Sequence, residues 1–195
     1  MSENLELLSE LDAVNTILDA VGESPIVSLE DDGTFVDAEL ARRMLRAAMR
    51  RIQSNEGNGW SFNTDIDVPL PPNVDGTVVL PANTLHFLQA DTNITRRGDL
   101  VYDRTLRSHI FTAAITATLV SLLQFEDCPE AIRTYATIEA ALRFQAQYQG
   151  DQTLYKFSQQ DWVMAKSNAE NAEATETNAN MVTKSALASR LKQYR

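Results

Sequence analysis

Apolar positions recur at helical spacing at both ends of this chain and in short, alternating runs through its middle. Near the start, Leu11, Val14, Leu18 and Val21 fall three or four residues apart, as on one stripe of a helix. Ser9 and Asp12 have capping-box spacing, with Asp in place of the usual Glu or Gln. Gly22 suits the left-handed residue that closes a helix, and Pro25 prevents continuation. The pattern predicts a helix over about 9–22, then "PIVSLE" as an extended segment and "DDGT" as a turn. Asp37 is placed to cap a second helix over about 38–54. Ala41, Met44, Leu45, Ala48, Met49 and Ile52 form its apolar stripe, while Arg42, Arg43, Arg46, Arg50 and Arg51 share the opposite side. "NEGNG" ends it.

From about 60 to 125 the texture changes. Pro69, Pro71, Pro72 and Pro81 exclude long helices. "GWSFN", "GTVVLP", "TLHFLQ" and "DLVYD" are short, β-branched or aromatic, and bounded by turn residues, so they read as strands. "ITRRGDLVYD" places Gly98 where a hairpin turns. "ITATLVSLL" reads as a strand from its β-branched content, although Ala113 and Ala114 beside it tolerate a helix. Helical texture then returns. Asp127 as cap and Pro129 just inside the start predict a helix over about 128–149 that stops at Gly150. Ser158 and Asp161 repeat the capping spacing before a last helix over 159–177, which begins apolar and ends polar. Residues 181–195 are polar and basic, with too little apolar surface to fold alone, and read as a flexible tail. The fold expected is α+β: mainly a helical bundle, with a β-rich subdomain inserted over about 60–125.

Charge narrows the function classes. Seventeen Lys and Arg stand against 27 Asp and Glu in 195 residues, a net charge of −10. That balance opposes a DNA-reading role, because DNA affinity rests largely on neutralising phosphates. Cys128 is the sole cysteine, so no disulfide within the chain and no multi-cysteine zinc pattern can form, as suits a reducing cytoplasm. "MSENLELLSELD" lacks the basic and apolar regions of a signal peptide. The longest apolar stretch, Ile110 to Phe125, is interrupted by polar residues and falls short of the about 20 apolar residues of a membrane span.

Catalytic chemistry is sparse. Neither a G-x-S-x-G elbow nor a phosphate loop occurs, and "GESP" at Gly22 is a helix stop. His86 and His109 each sit in apolar surroundings, where packing is the commoner role than ligation, so no metal or cofactor is expected. The remaining candidates are carboxylate pairs, Asp65 with Asp67 and Glu126 with Asp127. A glycosidase needs such groups facing each other across about 5–10 Å. A solvated strand accounts for the first pair and helix capping for the second. No catalytic residue is assigned.

The arginine face of the second helix has two readings. One is a solvated face paired with Glu39 and other acids, worth little. The other is a subunit interface, where arginine is enriched and an acidic protein can neutralise its own repulsion.

Five stretches stand in order: "AVNTILDAVGESPIVSLE", "ARRMLRAAMRRIQSNEGNGWSFN", "LPANTLHFL", "RRGDLVYDRT" and "FEDCPEAIRTYATIEAALRFQAQYQGD". Together they resemble the tail tubular protein A family of short-tailed bacteriophages, the tail adaptors or head-to-tail connectors, over about residues 11–180. The ordered set, including R-x-I-Q-S…G-W-x-F-N and R-G-x-x-V-Y-D-R, is what carries the resemblance. It implies a structural virion protein without enzyme activity, with residues 1–180 as a single adaptor domain. It also implies a ring, usually of twelve subunits, docked beneath the portal protein. The nozzle (tail tubular protein B) would bind below, tail fibres would attach around the junction, and DNA would pass through the channel without specific binding. No membrane insertion follows, and assembly would take place in the host bacterial cytoplasm. The extra "NEG" before Gly59-Trp60 departs from the family's usual turn, and the tail is variable in such proteins.

On that footing the expected subunit or portal interface comprises Arg42, Arg43, Arg46, Arg50 and Arg51, with Lys184, Arg190, Lys192 and Arg195 of the tail. Arg42, Arg46 and Arg50 are expected to face a neighbour or the bundle surface, away from a channel that an acidic wall keeps slippery for DNA. The tail is expected to order on the portal. Two other classes remain open: a tail-associated glycan or peptidoglycan hydrolase using Asp65, Asp67, Glu126 and Asp127, and a cytosolic regulator, which would need a partner-binding groove.

Overall fold

A computed structural model describes residues 6–30, 36–148 and 159–177. In chain order the elements are helices α1 (Glu10–Asp19) and α2 (Val36–Ser54), then strands β1 (Thr64–Leu70), β2 (Thr84–Leu88), β3 (Ile94–Arg97), β4 (Leu100–Asp103) and β5 (Ile115–Ser121). Helix α3 (Glu130–Tyr148) follows, and α4 covers residues 159–177. This is the α+β class expected. The chain forms two compact units: a helical one, up to Met49 and again from Phe125, and a β-rich one over Arg50–Gln124. The "DDGT" turn, the helix stop at Gly150, the cap at Ser158 and the tail at 181–195 lie outside the described residues.

In the helical unit, α1 starts as its sequence predicts. Asp12 N–H donates to Ser9 Oγ at 3.1 Å, and Ser9 N–H donates to the Asp12 carboxylate at 3.3 Å. The helix is shorter than 9–22: it ends at Asp19, and a closing turn puts Gly22 at φ +82° so that Glu23 N–H reaches Leu18 O at 3.1 Å. Ala13, Val14, Ile17 and Leu18 are buried, and α1 packs on α3. Asn15 exchanges two hydrogen bonds with the Ile26 backbone, at 2.8 and 3.0 Å, which holds the "PIVSLE" segment without a strand partner.

Helix α2 buries Ala38, Ala41, Leu45, Ala48 and Met49 in this unit. Asp37 is not its cap. It lies in the first turn, where its charge suits the helix dipole. Helix α3 begins two residues later than expected, because Asp127 belongs to a separate 3-10 turn, Phe125–Asp127. Arg133 dictates this arrangement. It is buried, and its guanidinium donates to Cys128 O at 2.8 Å, to Leu8 O at 2.9 Å and to Glu126 O, while lying over the Phe125 ring. Arg133 thus satisfies the Glu126 and Cys128 carbonyls just ahead of the helix. Along α3, Ile132, Tyr135, Ala136, Ala140 and Phe144 are buried together with Arg133, Thr137, Glu139 and Gln145, so apolar residues spread around its wheel. Helix α4 packs through Ala165, Ala169 and Trp162. The Trp162 indole N–H donates to Glu139 at 2.8 Å and its ring meets Tyr135 edge-on.

In the β-rich unit, β5 is the central strand of an antiparallel sheet of order β1-β5-β2, and β3 and β4 form a separate hairpin. The "ITATLVSLL" strand is therefore present, as is the hairpin turn at Gly98, whose φ is +63°. Strand β1 tolerates Pro69 because it is an edge strand, and it bulges between Asp65 and Val68, with Asp67 at φ +57°. Leu70, Val78, Leu80, Val101, Ala117 and Leu119 form the core.

Two expected strands are corrected. "GTVVLP" makes only single bridges, Thr77 to Ile110 and Val79 to Leu100, although Val78 and Leu80 point into the core. "GWSFN" forms a 3-10 turn, Ser61–Asn63, because the Asn63 side chain accepts from Trp60 N–H at 2.8 Å and folds the segment back.

Candidate interaction surfaces

The arginines of α2 do not act as one face. Arg42 is spent inside the helical unit. Its Nε lies 2.8 Å from Glu10 Oε1, and Nη1 reaches Leu29 O at 3.5 Å. The hydrogen bond to Glu10 raises its pKa, partial burial opposes this, and the charges of Glu10, Glu39 and Glu126 add to the rise. Arg46 is more exposed and stands 3.8 Å from the same Glu10 oxygen. The anchor of this side is thus Glu10, from α1, rather than Glu39.

Arg43 behaves differently. With Met44 and Ala47 it lines a shallow groove of about 440 Å³, whose other wall is Arg143, Ala146 and Gln147 of α3. Arg50 and Arg51 are exposed at the α2 end that belongs to the β-rich unit. Among the described residues neither Arg43 nor Arg50 makes an ion pair. Lys184, Arg190, Lys192 and Arg195 lie outside the described residues.

A second cationic surface lies on the β3–β4 hairpin and escaped the sequence reading. Thr95 faces Tyr102 across the hairpin, and the Arg97 guanidinium stacks over the Tyr102 ring at 3.5 Å. His109 meets that ring edge-on, with ring centroids 4.9 Å apart, and bonds Val101 O through Nδ1 at 2.9 Å. The signal was present in "RRGDLVYDRTLRSH", where Arg97 precedes a two-residue turn and Tyr102 and His109 follow it. What hid it was that the meeting of Arg97, Tyr102 and His109 depends on pairing register and on the return of the chain after β4.

The hydrolase candidates are divided between the two units. Asp65 and Asp67 are exposed on β1 of the β-rich unit; Glu126 and Asp127 are exposed on the 3-10 turn of the helical unit. His86 bonds Ser54 Oγ at 2.5 Å in a packed setting. No group of three His, Cys, Asp or Glu among the described residues is placed to hold a metal, and no described helix is long and apolar enough to cross a membrane.

The stretch "RRIQSNEGNGWSFN" folds into a buried polar stem. Gln53 is fully buried and bonds the Leu123 backbone twice. Asn63 Nδ2 donates to Gln53 O at 3.0 Å and to Ser121 O at 2.9 Å, and Trp60 Nε1 donates to Ile52 O at 2.6 Å. Gly59 has φ +68°, and a Cβ there would stand 2.5 Å from Thr64 Oγ1 and 2.7 Å from Val120. Residue types at Gln53, Gly59, Trp60 and Asn63 are thereby constrained together. The sequence profile of the tail tubular proteins matches residues 11–179, including this whole stem. The chain belongs to the tail tubular protein family. It is 31% identical over 125 residues to tail tubular protein A of Klebsiella phage KP34, an alignment covering 63% of this chain and 64% of that relative. As a tail tubular protein it is a structural component of the bacteriophage virion tail. The stem supplies the physical content of the motif that the resemblance rested on: it closes the β-rich unit onto the end of α2 by side-chain amides rather than by strand pairing.

Proposed function

We propose that this chain is the tail adaptor: a dodecameric ring docked beneath the portal, carrying the nozzle below it and offering attachment to tail fibres. The observation that carries this reading is the family match across residues 11–179. The chain's charge supports it, since a net charge of −10 suits a channel wall that leaves DNA mobile, and phosphate contacts would otherwise retain the duplex. Arg43 and Arg50, exposed and without an ion pair among the described residues, are assigned to the contact with a neighbouring subunit or the portal. Arg42 serves mainly to join α1 to α2. The basic residues Lys184, Arg190, Lys192 and Arg195 are assigned to the portal contact. Its role is structural and involves no catalysis.

The test is the native mass of the purified protein, alone and mixed with the portal ring from the same genome. The expected result is about twelve chains added per portal ring, the stoichiometry of one closed cyclic layer. A chain that stays monomeric at every ratio removes the adaptor reading. Protease protection of residues after 180 should increase on the portal; equal cleavage with and without portal refutes the role given to the tail.

A further inference from the structure

The turn after β4 presents an apolar knob between two cations. Leu106 is 71% exposed, and Arg104 and Arg107 flank it, both exposed. The knob is preorganised. The Asp103 carboxylate accepts from Thr105 N–H at 2.7 Å and from Leu106 N–H at 2.9 Å, and Asp103 and Ser108 exchange backbone hydrogen bonds at 2.9 and 3.2 Å. Arg107 is held at φ +53°, a costly conformation for a residue with a side chain. A rigid turn that exposes leucine to water stabilises nothing by itself. It does lower the ordering cost of a contact.

The helical unit carries a groove of matching chemistry. It is about 460 Å³, runs between α1, α3 and α4, and its walls include Ile138, Ala141, Leu142 and Met164, with exposed Asp19 and Asp161 at its rim. The rim beside Asp19 is also the C-terminal end of α1, whose last turn carries no basic residue, so the helix dipole adds negative potential there. The groove thus offers an apolar interior and an anionic edge. The knob offers an apolar tip and cationic flanks.

We infer that the Arg104–Arg107 turn of one copy docks in the α1–α3–α4 groove of a second copy, Leu106 entering between Leu142 and Met164 while Arg104 and Arg107 meet Asp19 and Asp161. The knob lies on the β-rich unit and the groove on the helical unit, so the contact is head-to-tail. Repetition of such a contact closes a ring when the rotation per copy permits. The inference rests on the ring reading above and names which surfaces build it. A contact of cations with carboxylates also offsets part of the repulsion between copies of a chain whose net charge is −10.

The experiment uses full-length chains with one added cysteine each, Leu106→Cys in one and Met164→Cys in the other; Cys128 is buried and gives little background. The two are mixed, assembled on portal rings and treated with a short bismaleimide. A cross-link between singly substituted chains is necessarily intermolecular. The expected result is a denaturant-resistant dimer in the assembled mixture and in neither protein alone. Assembled rings without that dimer overturn the inference and leave the ring reading standing. Failure of unsubstituted chains to assemble defeats the ring reading itself, and the inference with it.

A charge-reversal pair gives a second readout. Arg104→Asp with Arg107→Asp, and separately Asp19→Arg with Asp161→Arg, should each lower the assembled fraction at least tenfold while leaving the circular dichroism spectrum unchanged. Mixed, they should recover assembly, since each altered face then meets its complement. Loss without recovery shows that the two surfaces do not meet.

Discussion

Gln53 and Leu123, seventy residues apart, form a closed pair: the Gln53 amide donates to Leu123 O at 3.0 Å and accepts from Leu123 N–H at 2.8 Å. A fully buried glutamine thus replaces a missing strand partner at the end of β5. Gln53→Ala leaves both Leu123 groups unpaired and opens a cavity. Each unpaired group costs about 1–3 kcal/mol, so a loss of about 3 kcal/mol in chemical denaturation is expected, with early exchange of the Leu123 amide. A change below the error of the denaturation curve would show that the pair is dispensable.

Gly59 and Gly98 make a matched contrast. Both have positive φ, but a Cβ at Gly59 collides with Thr64 and Val120, whereas Gly98 faces open space. Gly98→Ala should cost only the left-handed penalty of about 1–2 kcal/mol. Gly59→Ala adds overpacking of about 1–3 kcal/mol to that penalty. Equal melting temperatures for the two variants would contradict this account of the stem.

Cys128 links stability to high pH. Burial pushes its thiol from 9.0 up to about 12, against the opposing charge of Arg133, with Asp127 and Glu126 adding to the rise. The native chain keeps a proton that the unfolded chain loses above about pH 9. Stability from this source is complete below pH 9 and declines as pH rises towards 12. The denaturation midpoint of the parent should therefore fall more steeply over that range than that of Cys128→Ala. A thiol reagent at pH 8 should label Cys128 only when the chain unfolds.

Glu139 is a buried carboxylate that receives Trp162 Nε1 at 2.8 Å and Arg143 Nε at 3.0 Å. Trp162→Phe removes the link to α4 and keeps most of the packing. It should cost about 1–2 kcal/mol and should speed hydrogen exchange in α4 more than in α1. Uniform acceleration across all helices would indicate that this bond does not anchor α4.

Arg42 and Arg43 are neighbours in sequence with different expected phenotypes. Arg42→Ala breaks a partly exposed pair with Glu10 and should lower stability by no more than about 1 kcal/mol. Arg43→Glu and Arg50→Glu should leave the melting temperature within error and weaken assembly on the portal. The reverse pattern would move the interface to the Glu10 side of α2.

Local signals were legible where the residues that satisfy a signal lie within one turn of it. The Ser9–Asp12 box, Gly22, the hairpin at Gly98 and the apolar stripe of α2 all close over a few residues, and each appears as read. Sequence misled where a distant partner decides. Trp60–Asn63 resembles a strand by composition, yet Asn63 finds Gln53 and Ser121 and turns the segment instead. Val78 and Leu80 alternate like a strand, yet their backbone meets Leu100 and Ile110 one residue at a time. Arg133 and Glu139, to which the sequence reading gave no role, are both buried, paired with carbonyls and an indole from elsewhere in the chain.

The sequence by itself determined the α+β class, the helices at both ends, the central strand β5, the acidic balance and, through its ordered motifs, the tail tubular family. Those properties rest on periodicity and on side chains acting near their own backbone. Tertiary structure alone decided which arginines are free for a partner, and how a groove bearing Asp19 and Asp161 comes to exist. Each of these surfaces is composed of residues distant in the chain or set by strand register, and burial of a charge is a property of its neighbours rather than of its own position.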